Sequence, residues 1–273
     1  MLRIAPKILA IIALLWCLPV AASPKVGISQ PLMLAGKTRA RVKLPGAAEY
    51  VELTGIKPLP PESLLAPDAA APVTILCPDL TKRDIAPGAA VDCPKSDAPL
   101  LRIAVKLDWD APPPSSGRAE CEFQPDRSLS REERARLAEA ERELSGMAID
   151  EKLRVMLLAS LHATFGQYVQ AITAFEEPLR RVESSEAMRI LGTLQADGGN
   201  LCQAGNAYER ALELAQQQQD IFEQAICHER LAGLNQLFGQ LERAQDHARQ
   251  AITCYQHAGF TAKADEIRRA WNL

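Results

Sequence analysis

Polar and apolar side chains alternate between Lys37 and Leu44, with Arg39, Arg41 and Lys43 on one side and Ala40, Val42 and Leu44 on the other. A period of two predicts a strand with one buried face. Tyr50-Val51-Glu52-Leu53 follows the turn pair Pro45-Gly46 and reads as a second strand. Val73 to Leu76 and Leu100 to Leu107 are further strand candidates; in the latter, Ile103, Val105 and Leu107 alternate with Ala104 and Lys106. Lys57 to Pro72, rich in Pro and Ala, is expected to be an irregular loop. From Ser130 the pattern changes. Ser130 and Glu133 have the spacing of a capping box, and the charged, Ala-rich, Pro-free run Arg131 to Leu144 predicts a helix. Asp150 is placed to cap a second helix from Glu151, and nearly everything beyond is helical in pattern, with breaks at glycines.

Three of those glycines, Gly166, Gly199 and Gly239, open the same local pattern. Tyr168, Ala171, Phe175, Pro178 and Leu179 follow the first; Leu201, Ala204, Tyr208, Ala211 and Leu212 the second; Leu241, Ala244, Ala248, Ala251 and Ile252 the third. Upstream, at equal offsets, stand Leu158-Ala159, Leu191-Gly192 and Leu231-Ala232. Helices approach closely only where small side chains face each other. The pattern therefore predicts hairpins in which Ala159, Gly192 and Ala232 meet Ala171, Ala204 and Ala244, with Phe175 and Tyr208 filling the space beside them. One hairpin cannot bury its apolar face alone, so hairpins stack. Pro178 falls inside a helical pattern, where proline costs ~3 kcal/mol, and is expected to end or kink that helix.

This pattern resembles the tetratricopeptide repeat over roughly residues 152–258, with units 33 and then 40 residues apart. The resemblance implies a mainly α fold: a right-handed superhelix of helix pairs, preceded here by a small all-β domain similar to β-modules found ahead of helical repeats in exported bacterial proteins. Thr261 to Leu273 looks like the helix that closes such arrays, with Ile267 and Trp271 facing the last hairpin. It also implies binding of a protein or peptide in a concave groove lined by the first helix of each hairpin. At matching offsets the groove would carry Met156, Ser160, Arg189, Thr193, Asp197, Glu229 and Gln236. This set is mixed in sign and lacks the Lys/Asn cluster with which some relatives clamp a C-terminal carboxylate.

Composition changes the picture in two ways. Hydrophobic residues make up 47% and aromatics only 5%, which favours helices over an all-β chain. Most of the 19 prolines precede residue 126, which marks two regions of different character. The N-terminus reads as a signal peptide: Arg3 and Lys7, an apolar run from Ile8 to Leu18, then Val20 and Ala22 suited to cleavage after Ala22. Trp16 stands where a lipoprotein signal before Cys17 needs a small residue. The expected organisation is a leader over 1–22, a β-rich domain over 24–111, a Pro/Ser-rich linker over 112–129 containing Pro112-Pro113-Pro114-Ser115-Ser116-Gly117, and a helical repeat domain over 130–273. The expected location is the periplasm or outside the cell.

Removing the leader takes away Arg3 and Lys7 and moves the formal net charge from −3 to −5. With no basic stripe, nucleic acid is excluded as an expected partner. No stretch after the leader is long and apolar enough to span a bilayer.

Six cysteines remain after the leader, and an oxidising compartment favours pairing. Cys77-Pro78 and Cys93-Pro94 bracket a Pro-Gly turn and are expected to form a disulfide-closed hairpin, worth ~3 kcal/mol in chain entropy. The partners of Cys121, Cys202, Cys227 and Cys254 stay open; a Cys227–Cys254 bond and two buried thiols are equally compatible with the pattern.

Catalytic and cofactor signatures are missing. His228-Glu229 begins a zinc-protease-like motif, but Ala232 stands where its second histidine belongs. The four histidines share no ligand spacing, and neither a G-x-S-x-G turn nor a phosphate-cradling glycine loop occurs. The sequence thus predicts a non-enzymatic scaffold without metal or cofactor. A permanent assembly subunit of an envelope or secretion complex is the second reading, and an enzyme with its site in the β-domain the third.

Overall fold

The computed structural model describes residues 26–28, 32–34, 39–93 apart from 46, 48, 61, 68–71, 79 and 80, then 103–105, 121–122, 124–179 and 183–273. The expected leader and the Pro-rich run 112–117 lie outside the described residues.

Nine short strands come first among the described residues: β1 Val26–Ile28, β2 Leu32–Leu34, β3 Ala40–Lys43, β4 Val51–Leu53, β5 Ile56–Pro58, β6 Leu64–Leu65, β7 Val73–Leu76, β8 Lys82–Ile85 and β9 Ile103–Val105. They form three small sheets, ordered β5-β2-β7-β8, β4-β3-β6 and β1-β9, the last pair parallel. The alternation read from 37–44 is realised in β3: Ala40 and Val42 are buried, Arg41 is exposed, and Val42 pairs with Val51 across an antiparallel ladder. The stretch 57–72 is not wholly irregular. It contributes β6 and the end of β5, and Pro58 is tolerated because β5 is an edge strand. Cys77 and Cys93 are bonded, Cα to Cα 5.6 Å, closing the hairpin of β7 and β8.

Eight helices follow among the described residues: α1 Arg131–Gly146, α2 Glu151–Thr164, α3 Tyr168–Leu179, α4 Ser185–Asp197, α5 Leu201–Gln218, α6 Ile221–Leu237, α7 Leu241–His257 and α8 Thr261–Trp271. Their starts have chemical causes. The capping box of Ser130 and Glu133 is complete at α1, and Asp150, Ser184, Asn200 and Asp220 accept from the first-turn amides of α2, α4, α5 and α6. Helix α3 runs through Pro178 and stops one residue later.

The small-residue seams are buried as the pattern requires: Ala159, Ala171, Ala204 and Ala244 are inaccessible, and Phe175 and Tyr208 fill the space beside them. Gly192 has no substitute here. A Cβ at that position would stand 2.7 Å from the Tyr208 ring and 3.2 Å from the Ala204 carbonyl oxygen. The architecture is a small β region followed by a stack of helices, mainly α and repetitive.

The β region does not keep its core to itself. Met33, Val42, Val51, Leu53, Leu59 and Ile75 pack in one cluster with Phe222 and Ile226 of α6, Tyr255 of α7 and Ile267 of α8. Leu76 packs with Leu137, Leu144 and Leu157 of α1 and α2. Trp271 of the closing helix is partly buried against the first of these clusters, so α8 seals both the last hairpin and the β region.

Candidate partner-binding surface

The first helices of the three hairpins are α2, α4 and α6. The β region is joined to the amino-terminal turns of α4 and α6 by polar contacts, and α2 is tied to α4 there. The turn Thr54-Gly55 brings β5 down on them: Thr54 donates to Asp220, and the amide of Ile56 donates to Glu186 Oε1 at 3.1 Å. Gly55, at φ +72°, lies directly over the Glu186 carboxylate, whose other oxygen accepts from Lys152 of α2 at 3.0 Å.

Lys57 then points into the array. Its Nζ donates to Glu223 Oε2 and lies 3.9 Å from Asp220, while Arg189 Nε donates to Glu223 Oε1. Lys57, Arg189 and Glu223 are 2%, 3% and 0% exposed. Burial works to raise the Glu223 pKa, but the Arg189 and Lys57 cations outweigh it and hold the group at about 2. Burial likewise works against the charge of Lys57, and the carboxylates of Glu223, Asp220 and Glu186 reverse it, so its pKa is raised. Two cations and their carboxylates thus stay ionised inside the protein because each satisfies the others.

This arrangement decides where the seven groove residues stand. Met156 is buried with Ala171 and Phe175, and Ser160 is buried. Arg189 is engaged with Glu223. Thr193 is half-buried, donates to the Arg189 carbonyl at 3.1 Å and accepts from the Tyr208 hydroxyl at 3.2 Å. Glu229 is half-buried, accepts from the Tyr255 hydroxyl at 2.8 Å and pairs with Lys263 of α8 at 3.2 Å. Asp197 and Gln236 are exposed, each in the last turn of its helix. The structure therefore does not bring the seven together on one open face.

A second polar assembly runs along the opposite edge, where each first helix turns into the second. Cys121 is bonded to Cys202 at the start of α5, Cα to Cα 4.9 Å. The Gln124 amide donates to the Gly198 carbonyl at 3.0 Å, and the Arg127 amide to the Gly166 carbonyl at 3.2 Å. Between them Asp126 accepts from the amides of Val169 and Gln170, capping α3 from outside its own helix. Residues 124–127, with the Cys121–Cys202 bond, thus strap the first two hairpin turns. Among the described residues nothing covers the third: a Cβ at Gly239 would meet nothing within 4 Å, and Leu241, two residues on, is 59% exposed.

A cleft of about 380 Å³ opens between β4 and the turns bearing Gln218, Gln219 and Gly259, lined also by Arg39, Glu52 and Gln256. Among the described residues no three His, Cys, Asp or Glu side chains converge as a metal-binding group, and no helix is long and apolar enough to cross a membrane. Cys227 and Cys254 are not bonded to each other: the former is buried, the latter half-buried, and burial pushes both thiols up in pKa.

No family profile matches the chain, and no curated protein matches it. Among solved structures, the chain is similar to a crystal structure of MamA at 15% identity and TM-score 0.37, over 53% of this chain and 94% of that one. It is also similar to BtubC (BKLC) from P. vanneervenii at 19% identity and TM-score 0.42, over 52% of this chain and 67% of that one. At these scores neither likeness carries an argument about function.

Sequence reading missed the Lys57 network and the strap. Glu186 and Glu223 read as ordinary first-turn acids, and Lys57 begins a Pro-rich stretch with no periodicity to announce burial. Cys121 was the strap's one legible signal: a cysteine in a segment read as linker, in a chain expected to meet oxidising conditions, calls for a partner.

Proposed function

We propose that this is an exported, non-enzymatic scaffold that binds a partner protein or peptide through its helical-repeat array. The binding surface is the hairpin-turn edge rather than a groove along the whole of the first helices. The observation that supports this is the difference between the three turns. The chain's own residues 124–127 cover the first two, and among the described residues the third leaves Leu241 open beside the last turn of α6, which carries Gln236. A large exposed aliphatic side chain beside uncovered backbone is a surface that gains by being covered. The β region, packed against the other ends of the first helices, holds the array in one shape.

A photo-reactive amino acid at position 241, and separately at position 203 on an exposed face of α5, tests this in envelope extract. A discrete adduct from 241 that is absent from 203, and that a Gln236→Arg variant reduces with unchanged circular dichroism, is the expected result. Equal adducts from both positions, or none from 241, would move the interaction to another face.

A further inference from the structure

Two of the histidines that show no ligand spacing in the sequence are brought together by the fold, and the pair has the geometry of a chelate. His228 lies in α6 and His247 in α7, the two helices of the third hairpin. Their Nδ1 atoms face each other at 3.0 Å, with ring centroids 5.3 Å apart and planes inclined at 39°. We propose that His228 and His247 form a two-nitrogen site for a divalent transition-metal ion with a tetragonal preference, Ni(II) or Cu(II).

The distance carries the argument. With metal–nitrogen bonds of ~2.0–2.1 Å, adjacent nitrogens of a square-planar or octahedral ion stand about 2.9 Å apart, and those of a tetrahedral ion about 3.3–3.4 Å. The observed separation falls at the first value, so an ion seated beside the line joining the two Nδ1 atoms needs almost no movement of either helix. Without the ion, one ring must turn its Nδ1 proton toward the other ring's lone pair. With it, both rings carry their proton on Nε2 and both Nδ1 lone pairs serve.

The charged groups facing His247 are Glu209 from α5, with Arg243 and Asp246 from α7, the last paired with Arg249 at 2.8 Å. His228 is 8% exposed and His247 half-buried, so one side of the pair is open to water, which supplies the remaining ligands. An ion so held is exchangeable, and it ties α6 to α7 across the middle of the third hairpin.

The test is isothermal titration of leader-free, untagged protein with NiCl₂ near neutral pH, for the wild type, His247→Gln, His228→Gln and His257→Gln. Expected are one saturable site per chain, weakening by about tenfold or more in either of the first two variants, and no change in the third. Cu(II) loading read by electron paramagnetic resonance supplies a second measure: hyperfine coupling to two imidazole nitrogens in the wild type and to one in His247→Gln. His247 is half-buried, so its Gln variant keeps the fold even if His228→Gln does not, which circular dichroism checks. Absence of saturable Ni(II) binding by the wild type, or equal binding by His247→Gln, would overturn the proposal and leave the pair as a hydrogen bond filling the third hairpin.

Discussion

At the scale of single residues, burial sorts the charges into two kinds. Arg39 and Glu52 pair across β3 and β4 with both side chains more than half exposed, so their attraction is screened and worth under ~1 kcal/mol. Glu223 has no exposure and holds two cations that have no other route to water. Glu223→Gln is expected to lower unfolding stability by ~3–5 kcal/mol in urea titrations, against under ~1 kcal/mol for Glu52→Gln. Titration separates the buried groups further. The folded-state pKa of His228 is about 4 against an ordinary 6.5, so the unfolded chain binds the extra proton first. The stability tied to His228 neutrality is complete above pH 6.5 and is lost as pH falls toward 4. Glu223 behaves likewise lower down: its contribution is present above 4.5 and is lost as pH falls toward 2. Melting temperatures measured from neutral pH downward should therefore fall first through the histidine range, and a His228→Gln variant that folds should show a shallower decline there.

At the scale of elements, the helices were legible because their causes are local. Ser130, Asp150 and the glycines at 166, 199 and 239 announce starts and turns within a few residues of where they act. Strands β3 and β9 were legible for the same reason, through alternation, and β4 through the turn pair before it. Strands β2 and β5 were not, because three residues cannot display a period and their pairing partners lie far along the chain; β8, Lys-Arg-Asp-Ile, shows no alternation at all. The candidate site fared worst. Offsets within a repeat identify which helix face points inward, but they say nothing about what another part of the chain lays upon that face; Arg189 was placed by the pattern and taken by Lys57's partner, Glu223. The strap belongs to this scale too. Its backbone bonds to two successive turns are fastened by the Cys121–Cys202 bridge, 81 residues apart in sequence. Replacing both cysteines by serine is expected to cost about 2–4 kcal/mol in denaturant titrations, with faster proteolysis within 121–129 than elsewhere.

At the scale of the molecule, the β region and the closing helix hold the array from one side. Gly259, between α7 and α8 at φ +83°, lies under Val51, whose Cγ1 would stand 2.6 Å from any added Cβ. Gly259→Ala must both strain the backbone and push β4 away, at a cost of ~1–3 kcal/mol, and the loss should appear as increased hydrogen exchange in β3 and β4 rather than in α2 and α3.

The shared core has a consequence for how the chain comes into being. The apolar faces of Val51, Leu53 and Leu59 are synthesised early, while Phe222, Tyr255 and Ile267, against which they pack, emerge near the end. Until then this face of the strands has only its own side chains to close upon. A nascent chain of this protein is therefore adhesive for most of its synthesis, and shortening it by as little as its last two helices leaves that adhesiveness permanent.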